Sequence, residues 1–185
     1  ATYQAVSGTG KEAIDELNQQ SSDILNDEII SCDVYPKQIA FNVLPHIDVF
    51  LDNGYTKEEM KMVWETQKIM GDDNIKVNPT AVRVPVIYGH SEAIHLETKK
   101  KITVQEVNEL YKNAPGITVL DDRNDGGYAT AATESAGQDP VFVSRIREDI
   151  SHPMGINLWV VSDNVRKGAA LNSVQIAEIL VQKYI

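Results

Sequence analysis

Val77–Ser91 reads VNPTAVRVPVIYGHS. Around it, Ala81–Thr98 is the part of the chain richest in β-branched and apolar residues, and Gly89 interrupts the run, so the segment predicts two strands broken near Gly89. The same stretch sets Arg83 and His90 seven residues apart. A planar guanidinium grips a carboxylate through two parallel hydrogen bonds, and an imidazole moves protons near neutral pH. On one regular strand an odd spacing would put the two side chains on opposite faces. Pro85 and Gly89 lie in the interval and permit the bulge or turn that would bring both to one site. Read alone, the spacing favours an ordinary buried strand, with Arg83 in a salt bridge and His90 a satisfied core histidine.

Outward from this stretch, strands and helices interleave. Lys11–Gln19 has helical spacing, with Ala13, Ile14 and Leu17 on one stripe, and residues 20–36 read as polar and irregular. Phe41–Leu51 is apolar and ends in an Asp52-Asn53-Gly54 turn; Thr56 then reads as the N-cap of a helix to about Met70, with Glu58 and Glu59 in its first turn. Val104–Asn113 predicts a short helix, Ile117–Leu120 a short strand, and Asp121–Gln138 a loop. Pro140–Ile146 and Gly155–Ser162 predict strands. Lys167–Tyr184 predicts a closing helix with Ala170, Val174, Ala177, Leu180 and Val181 on one stripe. The interleaving does not repeat as βαβ units with short crossovers, so one α+β domain over residues 1–185 is expected. It would hold a largely antiparallel mixed sheet with helices on one face. Val141, Val143, Leu158 and Val160 are the residues expected to bury the second face of that sheet against a twofold partner, with the Asp121–Gln138 loop as the rival cover.

Composition bounds the function. The chain has 185 residues, 42% hydrophobic and 24% charged, the profile of an ordinary globular protein. A net charge of −10, with no basic cluster beyond Lys99–Lys101, argues against nucleic acid. No apolar run approaches the length of a membrane span, no signal peptide is present, and one cysteine, Cys32, leaves no disulfide framework; a cytoplasmic protein is expected. No metal-ligand cluster is read from the sequence. The opening ATYQAVSGTG starts in what reads as the end of a strand running into a glycine turn, so a domain cut from a longer protein is expected.

Three further segments stand out. Thr2–Gly10, TYQAVSGTG, carries Gln4, Ser7 and Gly8 before a turn where glycine permits close backbone approach. Tyr55–Asp73, YTKEEMKMVWETQKIMGDD, places Glu58 and Lys61 three residues apart on one helix face, a spacing that also makes a plain solvated ion pair. Trp159–Leu180, WVVSDNVRKGAALNSVQIAEIL, puts Gly168 and Asn172 at the start of the closing helix, where Asn172 could equally be a polar residue on a core helix.

Together with the arginine–histidine stretch, these segments resemble aspartate-β-semialdehyde dehydrogenases over most of the chain, specifically their C-terminal half, as in glyceraldehyde-3-phosphate-dehydrogenase-like enzymes. Ala81 departs from the pattern, since many members carry cysteine there. The resemblance implies NADPH-dependent reductive dephosphorylation of β-aspartyl phosphate to aspartate semialdehyde, feeding lysine, methionine and threonine synthesis. It implies His90 as acid/base and Gln4 beside the catalytic thiol and substrate. Arg83 would take the substrate carboxylate, Glu58 the ammonium, and Lys61 an anionic group. Ser7, Gly8, Gly168 and Asn172 would contact NADP, and a homodimer is expected. Neither the family's Asn-Cys nucleophile nor a G-x-G-x-x-G turn occurs here, and Cys32 reads as a structural or incidental thiol. The closing helix, 167–184, is therefore expected to pack on an absent NADP-binding domain, and the fragment to be inactive alone. A related N-acetyl-glutamyl-phosphate reductase and a non-catalytic dimerisation module are the alternatives.

Overall fold

The computed structural model describes all residues, Ala1–Ile185, and the chain forms two compact units, Ala1–Pro85 and Val86–Ile185. The fold is α+β, with both parallel and antiparallel strand pairs.

In the first unit, β1 (Thr2–Ala5) runs parallel to β2 (Ala81–Val84), and Gln4 sits opposite Arg83. On the other side of β2, the backbone N–H and C=O of Arg83 both pair with Leu44, at 2.8 and 2.9 Å. After β1 the chain makes one tight turn, Val6–Gly8, and reaches Gly10, whose φ of 125° suits only glycine. Helix α1 (Lys11–Leu25) follows, running to Leu25 where the sequence reading stopped it at Gln19. Its apolar stripe, Ala13 and Leu17, packs with Val6, Tyr35, Ile39, Ala40 and Leu44.

The extra turns of α1 have a tertiary cause. Glu16 accepts the backbone N–H groups of Asp33, Val34 and Tyr35, while the Gln20 side-chain oxygen accepts those of Ile39 and Ala40 and its NH₂ donates to the Ser31 carbonyl. Residues 31–40, irregular in sequence and in structure, thus satisfy these six backbone polar groups on the helix.

Helix α2 (Lys57–Met70) begins in a capping box. The Thr56 side chain accepts from Glu59 N, and Glu59 accepts in return from Thr56 N. The other Glu59 oxygen accepts Ala81 N at 3.0 Å, so one carboxylate caps α2 and anchors the start of β2. Gly71, in the left-handed conformation, ends the helix.

In the second unit, β3 (His90–Glu97) pairs antiparallel with β6 (Gly155–Ser162) along its whole length, from His90↔Ser162 to Glu97↔Gly155. Strand β5 (Val141–Glu148) lies antiparallel on the other edge of β6, and β4 (Ile117–Val119) runs parallel to β5. The β5–β6 register shifts between Ser144 and Arg147, where Arg145 takes φ 53°, a bulge that bends the strand. Helix α3 (Val104–Lys112), capped by Thr103 and Glu106, sets Val107 against Val143, Ile146, Ile156 and Leu158.

That packing corrects one expectation. Val143, Leu158 and Val160 all belong to the face covered by α3, with Val141 in alternation beside them, so an intrachain helix and not a partner accounts for their apolar character. On the opposite face, Trp159 Nε1 donates to Ala129 O and Ala129 N donates to Ser144 Oγ, so the 121–138 segment lies over that part of the sheet. This segment is not wholly a loop either. Ala131–Ser135 forms a single wide turn closed by Ala136 N to Ala131 O. A second such turn, Arg166–Ala170, precedes α4 (Leu171–Tyr184), which therefore starts four residues later than Lys167. No residue of α4 is buried, Val174, Leu180 and Val181 included. No helix is long and apolar enough to cross a membrane.

The staple on α1 is testable. Gln20→Ala leaves two buried N–H groups without an acceptor, and we expect a loss of roughly 1–3 kcal/mol in chemical denaturation. Ser21→Ala, one residue on, breaks no such contact to the 31–40 segment and is expected to stay close to the parent.

Candidate active site

Strand β1 and the first turn of α2 bring three of the sequence-selected residues into one hydrogen-bonded chain. Gln4 Nε2 donates to Glu58 Oε1 at 3.3 Å, and Lys61 Nζ donates to Glu58 Oε2 at 2.9 Å. The i,i+3 spacing of Glu58 and Lys61 makes the pair, as the helix period requires. Glu58 raises the pKa of Lys61 above its ordinary value chiefly through that hydrogen bond, against a smaller opposing effect of burial.

Arg83 is the fourth member, beside Gln4 in the β1–β2 ladder. It is 5% exposed. Its Nη1 donates to the Ala5 carbonyl at 2.7 Å, its Nε has no partner, and no carboxylate of the chain forms an ion pair with it. Burial pushes its pKa down, while Tyr35 and Glu58 act weakly in the other direction. A guanidinium nevertheless stays charged at neutral pH. An uncompensated buried charge costs on the order of 3–5 kcal/mol. The arrangement is therefore a cation lacking its anion, next to a carboxylate that already carries one cation.

His90 opens β3, and Arg83 belongs to β2; residues 85–89 between them are outside any strand, so the parity of a single strand does not apply to the pair. Gly89 has φ 91° and donates its N–H to Asn164 Oδ1 at 2.9 Å. Ser7 and Gly8 form the turn directly after β1. Gly168 lies in the turn before α4, where a Cβ would meet nothing closer than 3.8 Å. Asn172 is exposed in the first turn of α4, and its amide makes no hydrogen bond within the chain. Cys32 is exposed, its sulfur accepting from Gln20 Nε2 at 3.6 Å as part of the α1 staple.

Four contributors escaped the sequence reading. Glu59 positions Ala81 two residues before Arg83, and the Thr-x-x-Glu pattern was the signal for it. The Ala5 carbonyl holds Arg83, which no sequence pattern encodes. Asp163 and Asn164 organise the backbone around Gly89, and consecutive Asx residues ahead of a helix are the only sequence sign. A cavity of about 580 Å³ is lined by Asp121, Asp122, Asp125, Tyr128, Arg145 and Arg147 and contains none of the selected residues. Asp121 there is committed to the backbone N–H groups of Arg145 and Ile146, and Asp122 to Asn124. Those carboxylates shape the β5 bulge and its loop.

Comparison with known proteins gives a consistent answer. The chain is 64% identical over its whole length to an aspartate-semialdehyde dehydrogenase of Legionella pneumophila, covering 53% of it, and 67% identical to one of Shewanella violacea, covering 54%. A solved structure of aspartate semialdehyde dehydrogenase II from Vibrio cholerae, complexed with ASA, matches all of this chain at a TM-score of 0.96 and 54% identity, with 54% of that chain covered. The chain thus spans about half the length of the curated relatives it matches. The family model described as semialdehyde dehydrogenase, dimerisation domain, matches residues 1–167, from β1 to the start of the turn that leads into α4. With the Gln4, Glu58, Lys61 and Arg83 cluster lying inside that span, the chain belongs to the semialdehyde dehydrogenase dimerisation-domain family.

Proposed function

We propose that this chain is the substrate-binding and dimerisation half of an aspartate-semialdehyde dehydrogenase. The whole enzyme would carry out NADPH-dependent reductive dephosphorylation of β-aspartyl phosphate to aspartate semialdehyde, in a cytoplasmic route to lysine, methionine and threonine. One observation carries the reading: the buried Arg83 guanidinium has no carboxylate partner, while Glu58 stands close enough to act on it electrostatically. A cation for a carboxylate and an anion for an ammonium are what an α-amino acid presents in reverse. An N-acetylated glutamyl phosphate would leave Glu58 without an ammonium to meet, so this pair favours the aspartyl substrate.

In this mechanism Arg83 binds the α-carboxylate through two parallel hydrogen bonds, Glu58 takes the ammonium, and Lys61 takes the phosphate or carboxylate end. Gln4, tied to Glu58, orients the reacting carbonyl beside a thiolate supplied by the part of the enzyme this chain does not span. His90 would accept the proton of the thiol at an imidazole nitrogen as the sulfur attacks, and return it to the sulfur as the product leaves. The exposed amide of Asn172 suits a nicotinamide carboxamide, and Ser7, Gly8 and Gly168, where a Cβ at Gly168 would meet nothing closer than 3.8 Å, are proposed as further contacts of the dinucleotide. Bound there, NADPH supplies the hydride. The exposed apolar residues of α4 are proposed to be covered by the cofactor-binding part of the same enzyme.

A homodimer is proposed through the second face of the β3–β6–β5 sheet. The 121–138 segment covers Ser144 and Trp159 there but leaves Ala93, His95 and Arg147 exposed. The family description as a dimerisation domain supports a second copy as the cover.

Four outcomes are expected. In the full-length enzyme, Arg83→Lys replaces a bidentate fork by a point charge, and steady-state kinetics should show KM for β-aspartyl phosphate rising roughly ten- to a hundredfold, about 1–3 kcal/mol. N-acetyl-glutamyl phosphate should not be turned over; turnover of it in preference to β-aspartyl phosphate would overturn the reading. The 185-residue chain alone should unfold cooperatively yet oxidise no NADPH, and measurable oxidation would make Cys32 a nucleophile. Sedimentation at micromolar concentration should give twice the 20.5 kDa chain mass, and a clean monomer would mean the 121–138 segment suffices as cover.

A further inference from the structure

We infer that Asn164 is a positioning residue for His90, acting through the backbone of Gly89; this rests on the reading of His90 as the acid/base. The β3–β6 ladder ends at His90↔Ser162, and the N–H of Gly89 lies one residue past it. Asn164, two residues beyond Ser162, reaches back and accepts that N–H on Oδ1 at 2.9 Å, supplying the acceptor that the ladder no longer offers. Gly89 itself is at φ 91°, in a seat with no spare room. A Cβ there would lie 2.7 Å from Ser135 Oγ and 2.9 Å from Ala131 O.

The seat is fixed from two directions. Ser135 is fully buried, with its hydroxyl donating to Ala131 O at 3.0 Å, inside the turn closed by Ala136 N to Ala131 O. Asp163, 3% exposed, accepts Gly137 N at 2.7 Å just after that turn, and Val165 N and Arg166 N at 2.8 Å just before α4. Asp163 therefore ties the Ala131–Ser135 turn to the very backbone that carries Asn164. Gly89 is held between them, packed against the turn and hydrogen-bonded to Asn164. The direction in which the chain enters β3, and with it the point from which the His90 side chain leaves the backbone, is set by this clamp. Proton transfer depends steeply on the placement of the acid/base, so a shift of His90 should lower turnover more than substrate binding, which Arg83 and Glu58 govern.

The test is made in the full-length dehydrogenase. Asn164→Ala should lower kcat about ten- to a hundredfold while KM for β-aspartyl phosphate changes less than about threefold. Asn164→Asp keeps an oxygen acceptor for Gly89 N–H and should retain kcat to within about threefold. Thermal melts accompany both, and if Asn164→Ala does not fold, Asn164→Ser, whose shorter side chain withdraws the acceptor, provides the same comparison. The inference is overturned if Asn164→Ala keeps kcat within about twofold, if Asn164→Asp falls as far as Asn164→Ala, or if KM rises in step with the loss of kcat. His90→Gln separates the two levels. Full turnover by that variant removes the acid/base role of His90 and the clamp's purpose with it. A dead His90→Gln beside an unimpaired Asn164→Ala removes only the clamp.

Discussion

A buried positive charge without a counter-ion constrains the whole first unit. Burying Arg83 is unfavourable, and the surroundings hold it in place without neutralising it. β1 pairs with its strand on one side, Leu44 bonds both its backbone groups on the other, and the Ala5 carbonyl takes one guanidinium nitrogen. Every one of those contacts fixes position; none removes the charge. A fold selected for stability alone would place a carboxylate against Arg83, and one is near, yet Glu58 is turned to Gln4 and Lys61. On the proposed reading of Arg83, the free energy withheld from folding would be available to an anionic ligand, the usual trade at a preorganised site.

The second unit works by backbone and not by charge. His90 owes its place to a glycine with positive φ, to the end of a ladder, and to two short polar side chains that finish what the ladder leaves undone. The two units thus illustrate different ways of locating a side chain proposed to act on substrate. In one, a long side chain is held by its paired backbone and by one hydrogen bond from its guanidinium. In the other, a short side chain is aimed by the backbone beneath it.

Much of this was legible in the sequence where the cause was local. The Thr56 cap, the Glu58–Lys61 pair, the break at Gly89 and the strands at 141–148 and 155–162 all follow from spacing or from one residue's conformational preference. Where the cause lay far along the chain, the reading fell short. Ser21, Ser22 and Asp23 discourage helix, and only the bonds from Glu16 and Gln20 to residues 31–40 show why α1 continues through them. Val143 and Leu158 read as buried, but alternation alone does not say which neighbour buries them, and α3 rather than a second subunit is the answer. Asn164 passed unnoticed because its partner is 75 residues away.

The staple between α1 and residues 31–40 bears on how this family's sequences can drift. The Glu16 carboxylate and the Gln20 side-chain oxygen read five backbone N–H groups, so the identities of residues 33, 34, 35, 39 and 40 matter to the staple only through their backbone geometry. Information that a regular strand would spread over the whole segment is concentrated in two helix positions. A lineage can therefore rewrite most of that loop's exposed surface freely, provided its length and these two residues stay put, whereas a single inserted residue between 35 and 39 would slide one set of amides off its acceptor.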